Sequence, residues 1–388
     1  MKGQRVGRIG LLLLFVGGAG AVALRIDSSR DAAATQRLGD AGPLEEVSRA
    51  VERERAEAAF WSSIPERATP VAPYDSAALE RALRRAEQLR PLSSLLISHD
   101  GELVVENYYN GMRADRTVNL KSISKTLLSP LVGIAIRDSL LAGVDQPLYE
   151  LLPEYFDEAD DPRKRQILFG HVLSMRTGLE TTSFGTYGSW IASPDWVRFA
   201  LDQPFVCNPG RCFEYSTGNS HIASVVLTRA SGMSTLAFAR QNLFGPLGIS
   251  LSGWDRDPQG YLLGGNNMSL TPRDLLKFGE LFLNRGVDQG RQLVPEEWIE
   301  AAWGDYAISP WNGHHYGYLW WSDRWGGERA FFAWGYGGQY LVVVPRLSLV
   351  AVVTSSLRQR RGFGHTRALR GFFDNYLVPA FRTPPAGE

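Results

Sequence analysis

The sequence predicts an α+β fold in which one antiparallel sheet is completed by both ends of the chain. Two β-rich runs, residues 94–98 and 103–109, flank Asp100-Gly101, a dipeptide that favours a tight hairpin. Four more β-rich runs lie late in the chain, and the segment of about 140–300 between the two groups reads mostly helical. A sheet needs helices to cover its apolar faces, so terminal helices are expected on one face and the helical insertion on the other. A binding cleft then falls between sheet and insertion.

Taken in order, Lys2, Arg5 and Arg8 precede an apolar run from Ile9 to Leu24 that ends in Ala21-Val22-Ala23. This pattern reads as a signal peptide or N-terminal membrane anchor over 1–24. At about 1.5 Å per residue the run is short for a membrane span, which favours the cleaved signal. Either way the rest is expected to be exported, periplasmic or held at the membrane facing outward. Residues 25–73 read as a tether, with a helix over 43–61, and residues 74–388 as the folded domain. Within that domain a helix is expected over 76–90, then the hairpin. A largely apolar helix follows over 122–139, with Pro130 expected to bend or break it. Further helices are expected over 193–201, 219–231, 234–243 and 271–284. The late strands are expected over 316–321, 329–334, 339–344 and 347–355, and a helix over 365–377 closes the chain.

Composition narrows the function. Lys plus Arg and Asp plus Glu are equal at 41 each, so there is no basic footprint for nucleic acid. Of the 11 Trp residues, Trp303, Trp311, Trp320, Trp321, Trp325 and Trp334 cluster late, either as core or as the wall of a substrate cleft. Cys207 and Cys212 bracket Asn208-Pro209-Gly210-Arg211, a turn that suits a small disulfide loop in an exported protein, against the alternative of two free thiols. The histidines lack metal-ligand spacing, and no cofactor or metal is implied.

Lys121-Ser122-Ile123-Ser124-Lys125 contains Ser-x-x-Lys, the one occurrence in the chain. Residues three apart share a helix face, so the Ser122 hydroxyl and the Lys125 amine can meet, and a desolvated lysine can take a serine proton. At the helix start Ser122 also lies at the positive end of the dipole, which favours an oxyanion. The plain alternative is a capping serine followed by a solvated lysine. Tyr215-Ser216-Thr217 lies on a loop leading into a helix, where Tyr215 can act as general acid–base. Trp334-Gly335-Tyr336-Gly337-Gly338-Gln339 joins two predicted strands, where glycines allow close substrate approach and a backbone N–H can serve an oxyanion hole.

Together these motifs resemble those of the serine β-lactamase and penicillin-binding superfamily, in its class C-like branch of carboxylesterases, amidases and 6-aminohexanoate-dimer hydrolases. The resemblance implies a β-lactamase/transpeptidase-like fold and an acyl-enzyme on Ser122. It gives Lys125 and Tyr215 the proton transfers and Ser122 and Gln339 the oxyanion N–H groups. Thr217, Tyr336, Gly337 and Gly338 take the substrate-binding positions. The chain departs from the family at two of them, with Thr217 for the Asn of Tyr-x-Asn and Tyr336-Gly337-Gly338 for Lys-Thr-Gly. Without that lysine a substrate carboxylate has no partner, so the expected substrate is a neutral ester or amide. The alternatives are a β-lactamase or D-alanyl peptidase, and a catalytically silent relative that binds cell-wall peptide.

Overall fold

In a computed structural model, residues 73–357 and 364–382 are described. The expected leader, the helix over 43–61 and all of the tether but Pro73 lie outside the described residues. The domain opens with α1 (Ser76–Glu87), capped by Asp75, whose carboxylate accepts from the Ala78 N–H at 2.9 Å. Strands β1 (Leu92–His99) and β2 (Glu102–Tyr108) follow, joined by Asp100 (φ 53°) and Gly101 (φ 79°). Both turn residues are left-handed, as a two-residue hairpin matched to the strand twist requires.

Next come the short β3 (Val118–Asn119) and the buried helix α2 (Ile123–Arg137). The insertion contributes short helical pieces and one long helix, α3 (Thr217–Ser231), which Gly232 ends in the left-handed conformation at φ 66°. Strand β4 (Ser269–Leu270) pairs antiparallel with β3, then α4 (Pro272–Leu283) starts at a Thr271 cap with Pro272 in its first turn. A small hairpin, β5 (Val287–Asp288) and β6 (Arg291–Gln292), precedes α5 (Glu296–Ala302).

The late strands are β7 (Ala307–Ile308), β8 (His315–Tyr316), β9 (Trp321–Trp325), β10 (Glu328–Gly335), β11 (Gln339–Val344) and β12 (Leu349–Ser355), before α6 (Gly364–Phe372). They join the first hairpin in one eight-stranded sheet of order β2-β1-β12-β11-β10-β9-β8-β7. β1 pairs antiparallel with β12, so the early hairpin and the late strands complete one sheet, as the sequence predicts. All six residues of β11 and all seven of β12 are buried, because helices cover both faces. α1 and the C-terminal helices pack on one face, while α4 lies across β1, β11 and β12 on the other, with α2 against β10 and β11.

Two expectations are corrected. The segment over 316–321 is not one strand: β8 ends at Tyr316, Gly317 N–H turns back to the Trp320 carbonyl at 2.8 Å, Leu319 is left-handed at φ 66°, and β9 begins at Trp321. The alternation of Tyr316, Tyr318 and Trp320 reads as strand period, but Tyr318 and Trp320 are buried within the turn that joins β8 to β9. Pro130 does not break its helix, because α2 is buried from Ile123 to Ala135 and neighbours on every side hold it helical past the missing N–H.

Candidate active site

Ser122 is the residue before the first turn of α2, at the mouth of the space between sheet and insertion. Two local features set it there. Lys121 is held left-handed at φ 53°, an uncommon conformation for a side chain with a Cβ, and this turns the chain sharply into the helix. The β3–β4 ribbon continues into a Leu120 N–H bond to the Met268 carbonyl at 2.9 Å, which ties the approach to Ser122 onto the insertion.

One turn along, Lys125 is only 1% exposed. Its Nζ donates to the Gly265 carbonyl at 2.7 Å and to Thr217 Oγ1 at 3.2 Å, and lies 3.3 Å from Ser122 Oγ. It makes no ion pair among the described residues. Burial with no compensating negative charge pulls its pKa down from 10.5 to about 7. At neutral pH much of it is therefore free amine. Thr217, at the first position of α3, is held in turn by Ser183, whose Oγ accepts from the Thr217 N–H at 2.9 Å and lies 2.9 Å from Thr217 Oγ1.

Tyr215 approaches from the other side. Its phenol faces the Ser122 side chain, and its ring centroid lies 5.0 Å from Lys125 Nζ. Burial pushes the phenol pKa well above the ordinary range, with the nearby Ser122 side chain offsetting a part, so Tyr215 stays protonated. Trp321 stacks on its ring at 5.4 Å and fixes its plane. Ser122, Lys125, Tyr215 and Thr217 thus form one contact cluster. Chemically it combines a hydroxyl, a free amine beside it and a neutral phenol able to give a proton.

The β10–β11 turn meets this cluster unevenly. A Cβ at Gly335 would sit 2.2 Å from the Leu120 carbonyl oxygen, so only glycine lets this strand end abut the segment leading to Ser122. The Gln339 side chain is spent elsewhere: Nε2 donates to the Ser355 carbonyl at 2.8 Å and Oε1 accepts from the Ser355 N–H at 3.0 Å. Only its backbone can serve an oxyanion. Tyr336 is 67% exposed at the turn tip, with Gly337 half-buried beside it. Gly338 abuts His365 and Leu369 of α6, on the face the terminal helices cover, so its missing side chain serves helix packing and not the Ser122 cluster.

Cys207 and Cys212 form a disulfide, closing the loop just before Phe213 and Tyr215. Of the late tryptophans, Trp303, Trp320 and Trp325 are core, Trp321 backs Tyr215, Trp334 packs beside Trp321 at 6.2 Å, and Trp311 is exposed.

Sequence reasoning missed Gly265 and Ser183. Neither belongs to a motif, and both reach Lys125 or its partner from far along the chain. His221, one of the histidines without metal-ligand spacing, has a structural place. That side chain is wholly buried and pairs with buried Asp257 at 2.9 Å, which pins the loop carrying Gly265 to α3. Among the described residues no group of three or more His, Cys, Asp or Glu is placed to hold a metal.

Comparison with known proteins identifies the family and the fold. A family model described as Beta-lactamase matches residues 76–372. A 6-aminohexanoate-dimer hydrolase from Paenarthrobacter ureafaciens is 25% identical over 68% of this chain and 72% of its own length. Among solved structures, EstCE1, a hydrolase with promiscuous acyltransferase activity, superposes with TM-score 0.64 at 16% identity, over 78% of this chain and 99% of its own. A D-stereospecific amidohydrolase from Streptomyces sp. superposes with TM-score 0.60 at 17% identity, over 77% and 98%. These two share the fold.

Proposed function

The chain belongs to the Beta-lactamase family of serine hydrolases, and from that premise we propose that it hydrolyses neutral esters or amides through an acyl-enzyme on Ser122. The observation that carries this reading is the state of Lys125, a buried amine beside the Ser122 hydroxyl with no carboxylate to keep it charged. A neutral amine has two N–H groups and one lone pair. The Gly265 carbonyl and Thr217 Oγ1 take the two N–H groups, which leaves the lone pair for Ser122.

Ser122 Oγ attacks the acyl carbon as its proton passes to Lys125, and backbone N–H groups of Ser122 and Gln339 receive the oxyanion. The bond to the leaving oxygen or nitrogen then breaks. That atom takes the Tyr215 proton, and Lys125 returns its own proton to Tyr215. Water repeats the sequence on the acyl-enzyme, releasing the acid and restoring the Ser122 hydroxyl.

The neutral substrate class follows from what surrounds the cluster. The turn Tyr336-Gly337-Gly338 offers no cation for a carboxylate, and Thr217 supplies a hydroxyl where a substrate-gripping amide is absent. The relatives are named as a dimer hydrolase, an amidohydrolase and a hydrolase with acyltransferase activity, which supports acyl transfer from an ester or amide but does not bear on the charge of the substrate. The apolar segment of 1–24 and the Cys207–Cys212 disulfide support an exported protein working in the periplasm or at the outer face of a membrane.

The test is a fluorophosphonate probe on the full-length protein, with the adduct located by mass spectrometry. Labelling of Ser122 that disappears in Ser122→Ala is expected. An unlabelled folded protein would instead make it a silent binding relative. Penicillin turnover close to the best ester rate would overturn the neutral-substrate reading in favour of a β-lactamase.

A further inference from the structure

Beyond the catalytic cluster, an aromatic path runs from Tyr215 to solvent. Phe213 lies 6.4 Å from Tyr215, Trp311 lies 5.9 Å from Phe213, and Phe184 meets Trp311 edge-to-face at 5.6 Å. Phe213 is buried, but the last two are not: Trp311 is 53% and Phe184 62% exposed. Two large rings that meet edge-to-face and remain more than half exposed mark a place where apolar area awaits a partner.

Phe184 is also held left-handed at φ 53°, a strained backbone for a bulky side chain. The residue before it, Ser183, is bonded to Thr217 in the catalytic cluster, so the ring is carried at a fixed offset from the chemistry. Folding alone gains little from an exposed aromatic in a strained conformation. A ligand bound against it would.

We propose that Phe184 and Trp311 form the leaving-group subsite, and that it takes an apolar, preferably aromatic, alcohol or amine. This rests on the acyl-enzyme reading above. The side is set by Tyr215: it gives its proton to the leaving atom, and the aromatic path begins at its ring. The acyl oxygen lies between Ser122 and the β10–β11 turn, where the Ser122 and Gln339 N–H groups receive it. Apolar surface buried here stabilises acylation only, because the leaving group has departed before water attacks.

Methyl acetate and benzyl acetate separate the steps, since both give the same acetyl-enzyme and their alcohols have nearly equal acidity. The wild-type protein is expected to favour the benzyl ester in kcat/KM by about tenfold or more. Trp311→Ala and Phe184→Ala are each expected to bring that ratio toward one, while Trp311→Phe keeps most of it. A wild-type ratio near one, or a ratio that survives both alanine variants, would overturn the subsite. In either case fluorophosphonate labelling of wild-type Ser122 would leave the acyl-enzyme reading standing. Absence of that labelling would instead remove the hydrolase reading itself.

Discussion

Two lysines are buried in this domain, and they are handled in opposite ways. Lys125 is 1% exposed and meets a carbonyl and two hydroxyls, with no ion pair among the described residues. Lys164, in the turn Pro162–Gln166, is 6% exposed, and its Nζ lies 2.9 Å from Asp160 Oδ1 and 2.8 Å from Asp202 Oδ1. Burial lowers the pKa of both. At Lys164 the hydrogen bonds to Asp202 and Asp160 outweigh burial, and the pKa ends raised. At Lys125 nothing outweighs it, and the pKa ends at about 7. The difference teaches that burial alone does not decide a lysine's task. Carboxylates hold it as a cation that joins segments, whereas neutral acceptors orient it and leave it free to take a proton.

The largest effect is expected from Lys125→Met. Loss of the base should lower kcat/KM by about a thousandfold, within the range general bases contribute. Stability should rise, because a buried cation is replaced by an apolar chain of similar length. Lys125 binds its proton more weakly folded than unfolded, so its cost is full below pH 7 and fades as pH rises from 7 toward 10.5. Thermal melts at pH 6 and pH 10 should therefore show the larger gain at pH 6. No gain at pH 6 would mean that Lys125 is not held against its preferred charge.

A smaller effect would turn one lysine environment into the other. Thr217→Asp places a carboxylate where Lys125 now finds a hydroxyl. The acid limb of the kcat/KM profile, expected near 7, should move up by a unit or more, with about tenfold loss at pH 7 and recovery at higher pH. Thr217→Asn, neutral and of similar size to the aspartate, should leave the limb near 7. A limb that stays near 7 in Thr217→Asp would break the comparison at its main point.

How much of this was legible follows the distance over which each signal acts. Ser122 and Lys125 share one helix face, and Asp100-Gly101 makes its own turn, so local sequence was enough. Gly265 lies 140 residues from Lys125, and nothing in its neighbourhood marks its carbonyl as an acceptor. The same holds for Ser183 and Thr217. Gly338 sat inside a recognised motif but packs against α6, because a glycine can serve a neighbouring helix as readily as a substrate. The misplaced strand over 316–321 shows the reverse failure. Its aromatic alternation was real, but burial by a turn leaves the same trace as burial by a sheet face.

The smallest expected effect falls on the other lysine. Lys164→Met removes the cation and leaves Asp160 and Asp202 facing each other. The pair is neither fully exposed nor fully enclosed, since Asp202 is 48% exposed in its side chain, so the loss should lie between surface and buried cases, about 1–2 kcal/mol. The Asp157 N–H first, and Lys164 after it, hold Asp160 below the usual carboxylate range. That part of the wild-type stability is present above about pH 4 and is lost as the carboxylate protonates. The Lys164 part is present below 10.5 and is lost as pH rises through its raised pKa. The variant should therefore melt lower than wild type between about pH 5 and 10 and converge with it toward pH 3. This pH dependence is opposite in sign to that of Lys125→Met, whose advantage is greatest in acid. Ester turnover should be unchanged, because the turn Pro162–Gln166 does not touch the Ser122 cluster. A Lys164→Met protein that is stabilised in acid as Lys125→Met is would mean that the two aspartates do not hold their lysine as a cation, and the contrast between the two sites would fall.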